Sequence, residues 1–129
     1  MFRRIIRTNT APHAVGTYSQ GTATDNLIFT AGQIPPDPTT GEIVEGNFKD
    51  RVRRVLNNID GIVTAAGSSL QNSLKLTVFL TDLSRFSELN EVFLEFFNED
   101  PPARSALEVS KLPLGVDVEI ECVALKGAE

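Results

Sequence analysis

From Phe48 onward the apolar positions Val52, Val55, Leu56, Ile59, Ile62, Val63 and Ala66 recur at spacings of three and four. On an α-helix those positions form one stripe, and Gly67 stops it. Leu74, Leu76, Val78 and Leu80 then alternate with Lys75, Thr77, Phe79 and Thr81, the period of two that marks a strand buried on at least one face. A second helix is predicted with Phe86, Leu89, Val92, Phe93, Phe96 and Phe97 on its apolar face. Asp82 and Ser84 offer its caps, and Pro101-Pro102 ends it. Before the first helix, residues 3–8, 17–24 and 27–34 read as strands, at least two of them a hairpin, with a turn at Asp25-Asn26. Three prolines, an aspartate and a glycine within Pro35–Gly41 mark an ordered loop. Residues 103–109 and 116–125 read as two strands joined through residues 110–115, an expected hairpin.

The predicted order is β-β-β-α-β-α-β-β. It gives an α+β class: a two-layer domain with about six strands and both helices on one face of the sheet. A second consequence is that the other sheet face needs a cover, which self-association supplies most cheaply. At 129 residues the chain is expected to be one domain, residues 1–129.

Composition narrows the function classes. Hydrophobic residues at 41% and charged residues at 22% are ordinary globular usage. The apolar runs are far shorter than the roughly 20 residues a membrane helix needs, and no apolar core follows the initial residues as in a secretory signal. Arg3, Arg4 and Arg7 leave a mitochondrial targeting stub open as the alternative to the expected cytoplasmic location. The single cysteine, Cys122, sits in an apolar alternation and suits a reducing compartment. A net charge of -5 denies nucleic acid the basic field it needs, so no nucleic-acid partner is expected.

Several residues are candidates for chemistry. Arg104 lies between the proline pair and a strand, and its fork of donors can grip a carboxylate bidentately; an ordinary surface arginine is the other reading. Asp117, Glu119 and Glu121 alternate with Val116, Val118, Ile120 and Cys122, so three carboxylates are expected on one strand face. The expected hairpin would put Ala106 opposite Glu119 and Arg104 one diagonal step away, about 7 to 8 Å; a solvated polar face with an incidental ion pair is the alternative. Asn90 interrupts an apolar seam, so its amide must find partners, either structural or substrate. Tyr18, the sole tyrosine, offers a hydroxyl beside a ring, or core packing. Gly32 breaks a strand pattern, which signals a bulge or a close backbone approach. His13 has no second ligand at metal spacing, and no metal site is expected.

The segments Tyr18-Ser19-Gln20-Gly21, Ala31-Gly32-Gln33-Ile34-Pro35, Ala65-Ala66-Gly67-Ser68-Ser69-Leu70, Thr77-Val78-Phe79-Leu80-Thr81-Asp82, Asn90-Glu91-Val92-Phe93, Pro102-Ala103-Arg104-Ser105 and Val118-Glu119-Ile120-Glu121 together resemble the RidA family, also called the YjgF family. The match runs through nearly the whole chain in order. The resemblance implies a chorismate-mutase-like fold with a six-stranded mixed sheet, a homotrimer, and active sites in clefts between subunits. It implies Arg104 as the carboxylate-binding arginine and Glu119 as the water-positioning glutamate. Tyr18, Asn90 and Gly32 would line the same cleft, with Phe86 and Thr30 as further walls. Many relatives carry a cysteine two residues after the arginine; here it is Ala106, whose backbone carbonyl would serve, and thiol chemistry there is excluded. Arg51 stands where a polar uncharged residue is common and has no account in the sequence.

The implied activity is hydrolysis of short 2-imino acids, such as 2-iminobutanoate and 2-iminopropanoate, to 2-keto acids and ammonia without a cofactor. It would pre-empt damage by imines and enamines released from pyridoxal-phosphate enzymes. The rivals are a non-catalytic module that binds 2-keto acids, or a chaperone-like one, and an endoribonuclease or translation inhibitor, which the acidic charge opposes.

Overall fold

The computed structural model describes residues 3–127. Its strands are β1 (Arg4–Ile6), β2 (Gly21–Ala23), β3 (Leu27–Thr30), β4 (Ser73–Leu80), β5 (Ala103–Glu108) and β6 (Val118–Leu125), and its long helices are α1 (Phe48–Ala65) and α2 (Phe86–Phe96). They follow the predicted order. The six strands form one sheet in the order β1-β2-β3-β6-β4-β5.

Helix α1 starts where Asn47 accepts a hydrogen bond from the Asp50 N–H at 2.9 Å while the Asp50 carboxylate accepts from the Asn47 N–H at 3.2 Å, a reciprocal cap of two free donors. It ends before Gly67, which takes φ +87°, a conformation glycine adopts without a Cβ penalty. The predicted stripe, Val52 to Val63, is fully buried. It packs with Leu89, Val92 and Phe93 of α2 against Ile28, Leu76, Val78, Leu80, Val118, Ile120 and Ala124 of the sheet. Both helices therefore lie on one face.

β4 and β5 run parallel, whereas β4 and β6 are antiparallel. The expected hairpin of β5 with β6 does not form: β4 lies between them. Two causes act together. Helix α2 is a crossover long enough to return the chain parallel to β4, and the strict burial alternation of Val118, Ile120, Cys122 and Ala124 suits β6 to the sheet centre, leaving the more exposed β5 at an edge.

Apart from β4, the strands are shorter than expected, most of all the second and third. Residues 17–20 form a loop because the Gln20 side chain accepts from the Thr8 N–H at 2.8 Å and donates to the carbonyls of Thr8, Ala11 and Pro12, replacing a strand ladder. Regular pairing of β3 stops at Thr30, and Gln33 rejoins β6 as a bridge to Ile120. In β4 a bulge between Ser73 and Lys75 turns Leu74 outward.

The face away from the helices carries Phe29, Thr77, Phe79, Leu107, Glu119, Glu121 and Val123, with Phe29 43% and Leu107 41% exposed. Among the described residues no helix is long and apolar enough to cross a membrane.

Candidate functional site

Between the pairs Phe29–Val123 and Gln33–Ile120, three residues on one side face two on the other, so Thr30-Ala31-Gly32 bulges against β6. At the bulge the Thr30 hydroxyl accepts from the Cys122 N–H at 3.0 Å, satisfying a donor that the interrupted ladder leaves free. Gly32 approaches β6 so closely that a Cβ built on it would collide with Oε2 of Glu119. Glu119 lies between buried Val118 and Ile120, and its side chain therefore leaves the sheet on the face away from the helices. Burial, and then the charge of Glu121, push the Glu119 carboxyl above its ordinary range.

Tyr18 stands on the loop held by Gln20, and its hydroxyl accepts from the Val15 N–H at 3.1 Å. It shares with Gly32, Gln33, Ile34, Pro113 and Leu114 an open cleft of about 560 Å³. Tyr18, Thr30, Gly32 and Glu119 thus belong to one cluster. The expected close approach at Gly32 is present.

Arg104, Phe86, Asn90 and Ala106 form a second cluster. The Arg104 guanidinium carbon lies 5.1 Å from the Phe86 ring centre and 4.9 Å from that of Phe93; Asn90 lines the same groove but is exposed rather than turned into the apolar seam, so its amide needs no protein partner. No carboxylate or carbonyl among the described residues accepts a hydrogen bond from Arg104. Partial burial without an anion disfavours its charge and lowers its pKa. The Val109 N–H donates to the Leu80 carbonyl, so parallel pairing turns the backbone groups of Arg104, Ala106 and Glu108 to the free edge of the sheet. The Ala106 carbonyl is accordingly open to a ligand.

The diagonal contact expected between Arg104 and Glu119 is not made. Arg104 pairs with Leu76 on the helix side, while Glu119 pairs with Phe79 two strands from β5. Two strand spacings and three residues of rise separate their Cα atoms by roughly 14 Å, and the side chains leave opposite faces. The row of three carboxylates is also broken. Asp117 precedes β6 and turns to α1, where Arg51 holds it by two hydrogen bonds of 2.9 and 2.7 Å and also donates to the Gly46 carbonyl at 2.7 Å. That geometry explains Arg51, whose pKa the Asp117 hydrogen bond raises.

Two amides escaped the sequence reading as candidates. Gln20 ties down the Tyr18 loop, as described above. Asn58, fully buried on α1, donates to the carbonyls of Ile34 at 3.2 Å and Pro36 at 3.0 Å and accepts from Arg54 Nε at 3.0 Å. Its place between Val55 and Ile62 in the apolar stripe is the same signal that drew attention to Asn90. His13 bonds Asn9, and among the described residues no group of three or more His, Cys, Asp or Glu is placed to hold a metal ion.

Comparison with known proteins places this geometry. A family profile described as Endoribonuclease L-PSP matches residues 8–126. The chain is 51% identical over 124 residues to a RutC family protein of Pyrococcus horikoshii, covering 96% of this chain and 98% of that one. It is 40% identical over 127 residues to the Homo sapiens 2-iminobutanoate/2-iminopropanoate deaminase, covering 98% and 93%. The crystal structure of Escherichia coli TdcF with bound serine superposes with a TM-score of 0.91 at 43% identity, covering 96% of this chain and 99% of that one. The two helices over a six-stranded mixed sheet are the chorismate-mutase-like fold of these proteins.

Proposed function

The chain belongs to the RidA (YjgF) family, described in its profile as Endoribonuclease L-PSP, and we propose that it hydrolyses short 2-imino acids such as 2-iminobutanoate and 2-iminopropanoate to 2-keto acids and ammonia. The observation that carries this reading is Arg104: a partly buried guanidinium stacked on two aromatic rings, with no anion beside it among the described residues. The cost of that burial is recovered when a carboxylate arrives.

In this reading two copies of the chain build each site. Arg104 and Glu119 leave opposite faces of one sheet, so one substrate meets both only if they come from different subunits. A homotrimer provides such clefts, and its assembly would cover Phe29 and Leu107 on the helix-free face. Arg104 of one subunit holds the carboxylate beside Asn90, Phe86 and the Ala106 carbonyl. Its neighbour supplies Tyr18, Thr30, Gly32 and Glu119.

An imine carbon is already electrophilic, and positioning supplies much of the acceleration. Glu119 accepts a proton from water as the oxygen bonds to the C=N carbon, and passes it to the nitrogen. The hydroxyl of the tetrahedral carbinolamine then gives its proton through Glu119 to the amine as the C=O bond forms and the C–N bond breaks, releasing ammonia and leaving the 2-keto acid. A carboxyl held above its ordinary range suits this exchange of a proton in both directions. The balance needs one water and no cofactor. The biological setting we propose is the cytoplasm, beside pyridoxal-phosphate enzymes that release such imines.

The test adds purified protein to a working threonine or serine dehydratase with semicarbazide present to trap free imine. Active protein lowers the yield of trapped adduct. An unchanged yield over a wide protein concentration, with carboxylate-dependent stabilisation by 2-keto acids, would instead mean a binding module. Cleavage of labelled RNA in place of imine would favour the nuclease described for the family, a role the net charge of -5 disfavours.

A further inference from the structure

The segment after Gly32 is poor in its own donors. Pro35, Pro36 and Pro38 have no N–H, so little of the backbone in Ile34–Pro38 can tie itself to the sheet. Gln33 exchanges hydrogen bonds with Ile120 at 2.8 and 3.0 Å, and beyond it the Ile34 and Pro36 carbonyls both accept from the Asn58 amide. Asn58 is 0% exposed, and its two donors and its acceptor are all engaged. A buried amide satisfied at each of these atoms fixes the position of what it holds, and a lost donor leaves a carbonyl stranded. The held segment is the one whose Gly32 presses on the Glu119 carboxylate. Arg54, half-buried at the flank of α1, orients the amide by donating to Oδ1.

The geometry points to Asn58 as a positioning residue: its two hydrogen bonds hold the Ile34 and Pro36 carbonyls just beyond Gln33 and thereby keep the adjoining Gly32 backbone against Glu119, fixing where the carboxylate points. Asn58 touches no substrate. It acts through the backbone, and it belongs to the Glu119 cluster rather than to the Arg104 groove. The catalytic part of this inference rests on the proposed imine hydrolysis, while the mechanical part stands independently.

Asn58→Asp keeps the size and the acceptor and removes both donors. The expected result is a loss of about tenfold in turnover number, with the dissociation constant of 2-ketobutyrate, which reads the Arg104 groove, changed less than twofold. Amide hydrogen exchange at Gln33 and Ile120 should quicken in the same variant, with exchange in β4 and α2 unchanged. Arg54→Ala, on the flank of the helix, should move the same readouts in the same direction by a smaller factor, and it decides the matter if Asn58→Asp does not fold. Unchanged exchange at Gln33 would overturn the inference, as would equal losses of turnover and keto-acid binding, which would make Asn58 a general structural support. If the wild-type protein turns over no imine, the proposed function fails, and exchange at Gln33 still decides whether Asn58 holds Gly32 in place.

Discussion

The Glu119 carboxylate rests on the backbone of Gly32 with no room for a Cβ between them. The glycine is therefore there for contact, at a bulge, and a side chain at 32 must push either the loop or the carboxylate away. Gly32→Ala should fold, keep its affinity for 2-keto acids, and lose on the order of a hundredfold in imine hydrolysis, the cost of misplacing a reacting group by about an ångström. Circular dichroism and the semicarbazide competition assay together check it.

Glu119→Gln should leave folding and keto-acid binding nearly intact while turnover falls, because the amide keeps the shape and cannot accept a proton. Separate measurement of binding and rate decides this; equal losses would make Glu119 a structural partner.

The environment of Glu119 also sets a pH dependence. Its carboxyl is raised by burial and by Glu121, so the carboxylate form needed to take a proton prevails only above the ordinary glutamate range. The acid limb of the rate profile should lie above about pH 4.3, the unperturbed value. Glu121→Gln removes the repelling charge and should move that limb to lower pH. The sign for stability is the reverse: the folded state binds this proton more tightly than the unfolded chain, so the contribution of Glu119 to stability falls as pH rises from the ordinary range through the raised value.

Arg51 and Asp117 join α1 to the start of β6 by two hydrogen bonds, and both are mostly buried, at 21% and 24% side-chain exposure. Asp117→Asn leaves the guanidinium without its anion and should cost about 1 to 3 kcal/mol. Urea denaturation should show a lower midpoint with an unchanged slope. Neither residue lies in either cluster, so activity should persist under folding conditions.

The order of elements was legible because each long element has a clear period: three and four in α1, two in β4 and β6. Pairing was less so. Nothing in residues 103–125 says that β4 will stand between β5 and β6, because that depends on the crossover through α2 and on which strand has two neighbours to satisfy. The assumed hairpin therefore put Arg104 beside Glu119, when one chain sets them on opposite faces. The resemblance put Tyr18, Thr30, Gly32 and Glu119 in one cleft with Phe86, Asn90, Arg104 and Ala106, and within one chain these residues fall into two clusters. Asp117 was misassigned because alternation was extended past the end of the strand, where Arg51 captures it. Asn58 was missed because a buried amide in an apolar stripe reveals its worth only through the loop carbonyls it reaches, which are distant in sequence, and Gln20 because its side chain ties a loop whose sequence reads as a strand.

Assembly is the next expectation. Three copies of the 14.1 kDa chain give a homotrimer of about 42 kDa, which light scattering should report at micromolar concentration. Leu107→Asp puts a charge on the helix-free sheet face beside Phe79 and should shift the protein toward monomer with loss of activity. A wild-type monomer would remove the cleft between subunits.

The central claim is that each site takes Arg104 from one subunit and Glu119 from another, and mixed oligomers test it most directly. Arg104→Lys loses the planar pair of donors and should drop roughly 30- to 150-fold, about 2 to 3 kcal/mol, and Glu119→Gln should be similarly impaired. The two variants, denatured together at equal amounts and refolded, or coexpressed, would form sites at random. Roughly a quarter of the sites would then combine an intact Arg104 from one subunit with an intact Glu119 from its neighbour. Imine hydrolysis in the mixture should rise to about a quarter of wild type, far above either variant alone. Activity that stays at the level of the separate variants, with mixed trimers demonstrated by mass spectrometry, would contradict the shared site.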